Sequence, residues 1–400
     1  MMKILLLTPI YPAKGEKKTI SPVVHYFTRE WVKMGHDVQV IRFAVIFPKL
    51  LYMIARPVKR LLSSHAGTEI RTWALPDCEY VWENVKVKQI PLKKYRPHGR
   101  YSQKAIKMAV KKVINYCGEQ SFVPDVIISH WVNPQFEVMH QLKNHYNVPT
   151  CFVAHDAGHD LQTIYHQEAP LYISETNLFG YRSAPIKRVF EQRFNCAGKS
   201  SFQCYSGVPE VYIRQQERTI SGIRNFVFVG TLIRRKHPAS IIPALCESIE
   251  GGDFTISYIG EGHEQEHINQ LAKDYGVADK VRLMGFMHRD EVIRQLDKSD
   301  VFVMISRNET FGLVYLEAMA RGCITIASQG EGFDGVIKHG VNGFLCKAGD
   351  SHELAHVIKH IRSLSPMELH RISKNAMQTA ASLTDKKAAD IYINAIKKIL

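Results

Sequence analysis

The eight cysteines, at 78, 117, 151, 196, 204, 246, 323 and 346, form no C-x-x-C pair and no cluster with histidines at metal-ligand spacing. That removes a structural zinc site and points to a reducing, cytosolic setting. No apolar run approaches the roughly 18 residues that a membrane span requires. The longest, from Phe43 to Ala55, is broken by Pro48 and Lys49. The opening MMKILLLTPIYP lacks a small-residue cleavage site and ends in a proline-containing loop, so it reads as a buried strand and not as a secretion signal. No G-x-G-x-x-G follows the strands near Met2–Thr8 or Phe226–Gly230, which argues against a dehydrogenase. No D-x-D lies near a strand end, which fits a metal-independent site.

Acids are the other shortage. Lys and Arg number 52 against 38 Asp and Glu, a net charge of +14. From Arg42 to Lys112 sixteen basic residues face only Glu69, Asp77, Glu79 and Glu83, so one stretch carries most of the excess. Such asymmetry calls for an anionic partner. The stretch lacks aromatic interleaving on a strand and any helix-turn-helix spacing, which argues against nucleic acid. It does mix Phe43, Val45, Ile46, Phe47, Leu50, Leu51, Tyr52, Met53 and Ile54 with Lys49, Arg56, Lys59 and Arg60. Apolar anchors beside basic residues suit an interfacial segment on an anionic membrane; the competing reading makes these apolar residues core.

What is present is the composition of a soluble globular protein, 45% hydrophobic and 22% charged over 400 residues, enough for two domains. From Phe226 onward short apolar runs alternate with amphipathic segments, the mark of a parallel sheet covered by helices. Strands are predicted at 226–229, 254–259, 281–284, 301–305, 323–327 and 343–346, with helices near 237–249, 263–275, 290–296, 313–321 and 352–361. The first half repeats this less cleanly, with strands at 4–8, 38–42, 126–129, 151–154 and 200–205 and helices near 23–34 and 136–146. The reading is a first domain over 1–211, a linker over 212–224 and a second domain over 225–384. A final helix, 385–400, bears an apolar stripe that needs a surface to cover.

The most informative segment is VFVMISRNETFGLVYLEAMARGCITIAS, Val301 to Ser328. A buried strand ends in a polar loop, and Gly312 then opens a helix. Ligands in open α/β sheets gather outside the carboxyl ends of strands, and a helix N-terminus placed there suits a diphosphate. Glu309 in the loop and Glu317 on the helix, eight positions apart, can accept hydrogen bonds from sugar hydroxyls. Glu317 sits among Leu316, Ala318, Met319 and Ala320, where a solvated charge is out of place.

These residues resemble the E-x7-E signature of retaining GT-B glycosyltransferases of the large fourth family. The resemblance implies an α/β fold of two facing Rossmann-like domains with doubly wound parallel sheets. It also implies a hexosyltransferase-type activity on a nucleotide sugar, a UDP-sugar first and a GDP-sugar second, with no other cofactor. Glu309 would bind the transferred sugar and Glu317 the ribose. Backbone N–H groups of Phe311, Gly312 and Leu313 would cradle the donor. FVFVGTLIRRKHP, Phe226 to Pro238, resembles the family's strand, glycine turn and basic pair. Gly230 would form the turn, Lys236 would neutralise the leaving diphosphate and Arg235 would help it. Thr231 stands where many members carry arginine, so either Arg234 or Arg235 supplies that charge or the phosphate contact is weaker.

LMGFMHRDEV at 283–292 resembles the loop holding the base, which places Phe286 at the donor. EGFDGVIKHGVNGFLC at 331–346 resembles a further donor segment but has Gly335 in place of its glutamate. In the first half only Gly15 remains of the family's loop glycines. His155, in CFVAHDAGHD, matches a histidine near the transferred sugar, whereas His130 reads as a packed residue. The implied acceptor is a carbohydrate or lipid-linked saccharide in surface polysaccharide or glycolipid synthesis, with the enzyme in the cytoplasm or peripheral on the inner face of the membrane. An epimerase of the same architecture would need paired acid and base residues about the sugar, and the two glutamates are not so placed.

Overall fold

The computed structural model describes residues 1–14, 22–48, 52–53, 73–96 and 99–400. The chain divides into two compact units. The first comprises Met1–Arg182, Ile186–Tyr205 and Asp385–Leu400; the second comprises Ser183–Pro185 and Ser206–Thr384.

The first unit is built on eight strands: β1 (Lys3–Thr8), β2 (Asp37–Ile46), β3 (Cys78–Trp82), β4 (Val85–Lys93), β5 (Val126–His130), β6 (Thr150–Ala154), β7 (Leu178–Tyr181) and β8 (Ser201–Gln203). Their order is β3-β4-β2-β1-β5-β6-β7-β8. All neighbours are parallel except the β3–β4 hairpin, whose turn residues Glu83 and Asn84 both have positive φ. A parallel sheet covered on both faces must be apolar on both. Accordingly Leu5 and Leu7 join one buried cluster, and Ile4 and Leu6 the other. The helices are α1 (Val23–Lys33), α2 (Gln103–Glu119), α3 (Gln135–Tyr146), α4 (His159–Tyr165), α5 (Ala169–Glu175) and α6 (Ala184–Phe194).

The second unit has six parallel strands, β9 (Asn225–Val229), β10 (Thr255–Ile259), β11 (Val281–Leu283), β12 (Val301–Val303), β13 (Ile324–Ser328) and β14 (Phe344–Cys346). Their order, β11-β10-β9-β12-β13-β14, is that of a doubly wound dinucleotide-type sheet. Its helices are α7 (Ile241–Ser248), α8 (Gln265–Asp274), α9 (Arg289–Asp297), α10 (Leu313–Ala320), α11 (Ser351–Ser363) and α12 (Pro366–Ser382). The stretch 212–224 lies inside this unit. Arg218 within it is 7% exposed and donates to the Leu296 carbonyl at 3.1 Å.

The last helix, α13 (Asp385–Lys397), returns to the first unit and completes its second buried cluster. Trp31 Nε1 donates to the Ala389 carbonyl at 3.2 Å, Arg29 pairs with Asp385 at 2.9 Å, and Tyr392 packs edge-on against Trp31.

The structure corrects part of the interfacial reading. Phe43 is 1% exposed and belongs to the core of the first unit, because β2 runs on to Ile46 and alternate residues face inward. Val45 and Met53 are exposed. Gly15, Lys49, Leu50, Leu51, Ile54, Arg56, Lys59 and Arg60 lie outside the described residues. Among the described residues no helix is long and apolar enough to cross a membrane.

Candidate donor site in the second unit

The carboxyl ends of β9, β10 and β12 carry the candidate residues. Beyond β9 the chain turns at Gly230, and a 3-10 turn, Arg234–Lys236, brings the Lys236 side chain back over it. A Cβ on Gly230 would stand 2.8 Å from Lys236 Nζ, so a side chain there would push the ammonium aside. The turn is braced by its neighbour: Gly230 N–H donates to the Ile259 carbonyl at 2.9 Å, and a Cβ on Gly260 would collide with the Gly230 carbonyl. Thr231 follows, partly exposed.

After β12 the loop carrying Glu309 comes alongside this lysine. Glu309 Oε2 lies 3.6 Å from the Arg235 guanidinium and 3.9 Å from Lys236 Nζ. The oxygen is buried and accepts no hydrogen bond. Burial holds the Lys236 ammonium below the usual lysine range, Glu309 opposing and Arg235 reinforcing the shift. Glu309 N–H is itself held, donating to Glu331 at 2.9 Å, and Arg307 N–H donates to the Arg235 carbonyl at 2.7 Å. A Cβ on Gly332 would strike the backbone at Glu309 and Phe311, so the two loops are in direct backbone contact.

Phe311 is buried against Phe333, and Gly312, with φ of 82°, caps α10 without a side-chain hydrogen bond. Beneath it the Tyr315 ring fills the place a Cβ would need. The hydroxyl of Tyr315 donates to the Met304 carbonyl at 2.7 Å, tying the helix to the end of β12. The first N–H groups of α10, from Leu313 on, therefore start a helix that no side chain caps. One turn further, Glu317 is 6% exposed and accepts from Arg289 Nε at 2.6 Å. Arg289 lies over the Tyr212 ring at 5.0 Å. Phe286, after β11, is 60% exposed and packs edge-on to His288.

Lys236, Arg235, Glu309 and Gly230 thus form one group, continuous through the backbone with Phe311, Gly312 and Leu313. Arg289 and Glu331 were not assigned roles from sequence. Both stand in quoted segments, but their partners are 28 and 22 positions away, and single-chain spacing does not signal such pairs.

His155 lies in the first unit. It stacks on Trp131, with centroids 3.7 Å apart, and its Nε2 is 3.0 Å from His130 Nδ1. His130 Nε2 is in turn 3.2 Å from the Tyr392 hydroxyl. Burial holds both histidines well below the usual range; His130 reinforces the shift at His155, and Arg182 reinforces it at both.

Comparison with known proteins gives the following. Residues 212–379 match the family described as glycosyl transferases group 1. N-acetyl-alpha-D-glucosaminyl L-malate synthase of Bacillus anthracis is 34% identical over 162 residues, 40% of this chain and 40% of that protein's length. The amylovoran biosynthesis glycosyltransferase AmsK of Erwinia amylovora is 22% identical over 382 residues, 89% of this chain and 90% of its own. HepE of Anabaena, solved in complex with UDP and glucose, superposes with a TM-score of 0.65 at 19% identity over 100% of both chains.

The fold is GT-B. Its two Rossmann-like sheets are those described above. Within the GT-B chain the family match falls on the second unit, the one that holds Lys236, Glu309 and Glu317.

Proposed function

We propose that the protein is a retaining hexosyltransferase that moves a sugar from a nucleotide-sugar donor, a UDP-sugar first, to a carbohydrate or lipid-linked acceptor. The observation that carries this is the Oε2 of the Glu309 carboxylate, buried beside two cations yet accepting no hydrogen bond. A buried carboxylate oxygen without a donor is costly. A sugar hydroxyl supplies that donor, and a diphosphate supplies the counter-charge that Lys236 and Arg235 lack when Glu309 turns to the sugar. Uncapped N–H groups at the start of α10 add a further anion-binding element. Glu317, already held by Arg289, would receive the ribose hydroxyls, with Phe286 beside the base.

The chemistry asked of these residues is electrostatic. As the bond to the diphosphate breaks, Lys236 and Arg235 hold the negative charge that develops. Attack from the same face, with the departing phosphate taking the acceptor proton, would retain configuration. HepE, solved with UDP and glucose, makes a uridine donor the first to try. The name of AmsK points to surface polysaccharide as the destination. Contact of the first unit with an anionic membrane remains part of the proposal, supported by Lys104, Lys107 and Lys111, which project from one face of α2 with Met108.

Thermal unfolding against UDP, GDP, ADP and their sugars tests the reading, since a true ligand raises stability by RT ln(1 + [L]/Kd). One nucleotide should stand apart, with its sugar slowly hydrolysed in the absence of acceptor. No shift with any of them sinks the proposal.

A further inference from the structure

Lys94 occupies a place in the first unit that sequence alternation reserves for apolar side chains. Along β4, Ile90 and Leu92 face the cluster covered by α2, both 0% exposed. The ladder continues one step beyond the strand, Lys94 N–H donating to the Ile46 carbonyl at 2.8 Å, so Lys94 takes the next inward position. It is only 8% exposed. Among the described residues its ammonium has no ion pair and no hydrogen bond. The Tyr101 ring lies against it, its centroid 5.1 Å away. Burial lowers its pKa, opposed by Asp160 from beyond ion-pair distance. Tyr101 is itself 3% exposed, and its hydroxyl is buried without a hydrogen-bond partner. Burial raises the pKa of that hydroxyl, so it stays protonated and able to donate.

A ring face attracts a cation but accepts no charge-assisted hydrogen bond from it. Two neighbouring donors, one of them charged, therefore lack an acceptor among the described residues. An acceptor-only group bearing negative charge satisfies both, and water does not supply the charge. The position matters as well: Lys94 stands just beyond the carboxyl end of β4, the edge at which open α/β sheets collect ligands.

We infer that Lys94 and Tyr101 form a binding site for an anionic group, a phosphate or a carboxylate, carried by the acceptor. Assignment to the acceptor rests on the glycosyltransferase reading; the anion site does not.

The full chain carrying Lys236→Ala is the suitable background, because its donor-side lysine can no longer report. Inorganic phosphate and succinate are titrated separately at ionic strength held constant with chloride, followed by calorimetry and thermal unfolding. At least one of the two should bind saturably, and which one does identifies the acceptor's charged group. Lys94→Met should weaken that binding about tenfold or more, and Tyr101→Phe by a smaller factor. In chloride alone Lys94→Met should unfold at the same or a higher temperature, because an apolar isostere keeps the packing of the buried stem and breaks no ion pair. Wild-type anion affinity in Lys94→Met, no saturable binding of either anion, or a clear loss of stability in chloride each overturns the inference. UDP titration of the chain with Lys236 intact is read separately: loss of UDP binding beside a working anion site removes the donor reading alone.

Discussion

Glu309 and Glu317 resemble each other in sequence but not in setting, and their substitutions should separate. Glu309 accepts no hydrogen bond at its buried Oε2, so Glu309→Ala breaks none there; it removes the carboxylate beside Arg235 and Lys236 and should cost about 1.5 to 3 kcal/mol in transition-state binding, read as kcat/KM. Glu317→Ala strips Arg289 of its 2.6 Å partner and should lower thermal stability as well as donor affinity. Wild-type turnover in both would remove their assignment. Lys236 offers a second test, through pH. Its pKa is lowered by burial, so as pH rises it loses its charge before an ordinary lysine does. UDP affinity should therefore begin to fall at a pH below the usual lysine range, and Lys236→Arg should hold its affinity across the same window. Lys236→Ala should slow turnover about 100-fold. These three residues were legible because each sits in a short motif beside a glycine turn. Arg289 and Lys94 were not: what makes each notable, a distant partner or the lack of one, exists only once the chain is folded.

At the level of elements, the loops that close the second sheet touch through their backbones, and Gly332 is one of the tight points. Gly332→Ala must displace the Glu309–Phe311 backbone, so donor affinity should drop although no side chain of the site changes; calorimetry with UDP reads it. The first unit depends similarly on α13, whose Tyr392 is 0% exposed and packs against Phe27 and Trp31. Tyr392→Ala should cost about 3 to 5 kcal/mol of stability in that unit, as loss of a fully buried ring does. The strands of the second unit could be read from sequence because each is a short apolar run framed by glycine or polar turns. The β3–β4 hairpin could not. In VKVKQIPLK the lysines and Pro91 mask a strand that buries Val85 and Val87 on one face and Ile90 and Leu92 on the other. Helix α2 was hidden by its lysines, and α12 by a proline that in fact sits in the first turn, under a Ser365–Glu368 capping box.

For the whole molecule, acid is the condition that should expose its weak half. His140 is 3% exposed and is driven to about 4 by burial, with Lys143 reinforcing the shift; His130 and His155 move in the same direction. The unfolded chain takes up these protons near pH 6.5, whereas the folded chain does not. Stability should therefore fall as pH drops from about 6.5 to 4, His140 alone accounting for about 3 kcal/mol. Urea midpoints at pH 7, 5.5 and 4.5 should show the decline, and His140→Gln should flatten it; parallel curves would refute this. All three histidines belong to the first unit, as does α13. That last membership bears on how the protein is made. A ribosome delivers residues 206–384 before it delivers 385–400, so the second unit has its whole core available while the first still waits for its closing helix. The half that emerges first is the half that finishes last. Until then the surface around Phe27 and Trp31 is open to any other apolar segment in the vicinity, and a tag fused after residue 400 would burden the very step that closes it.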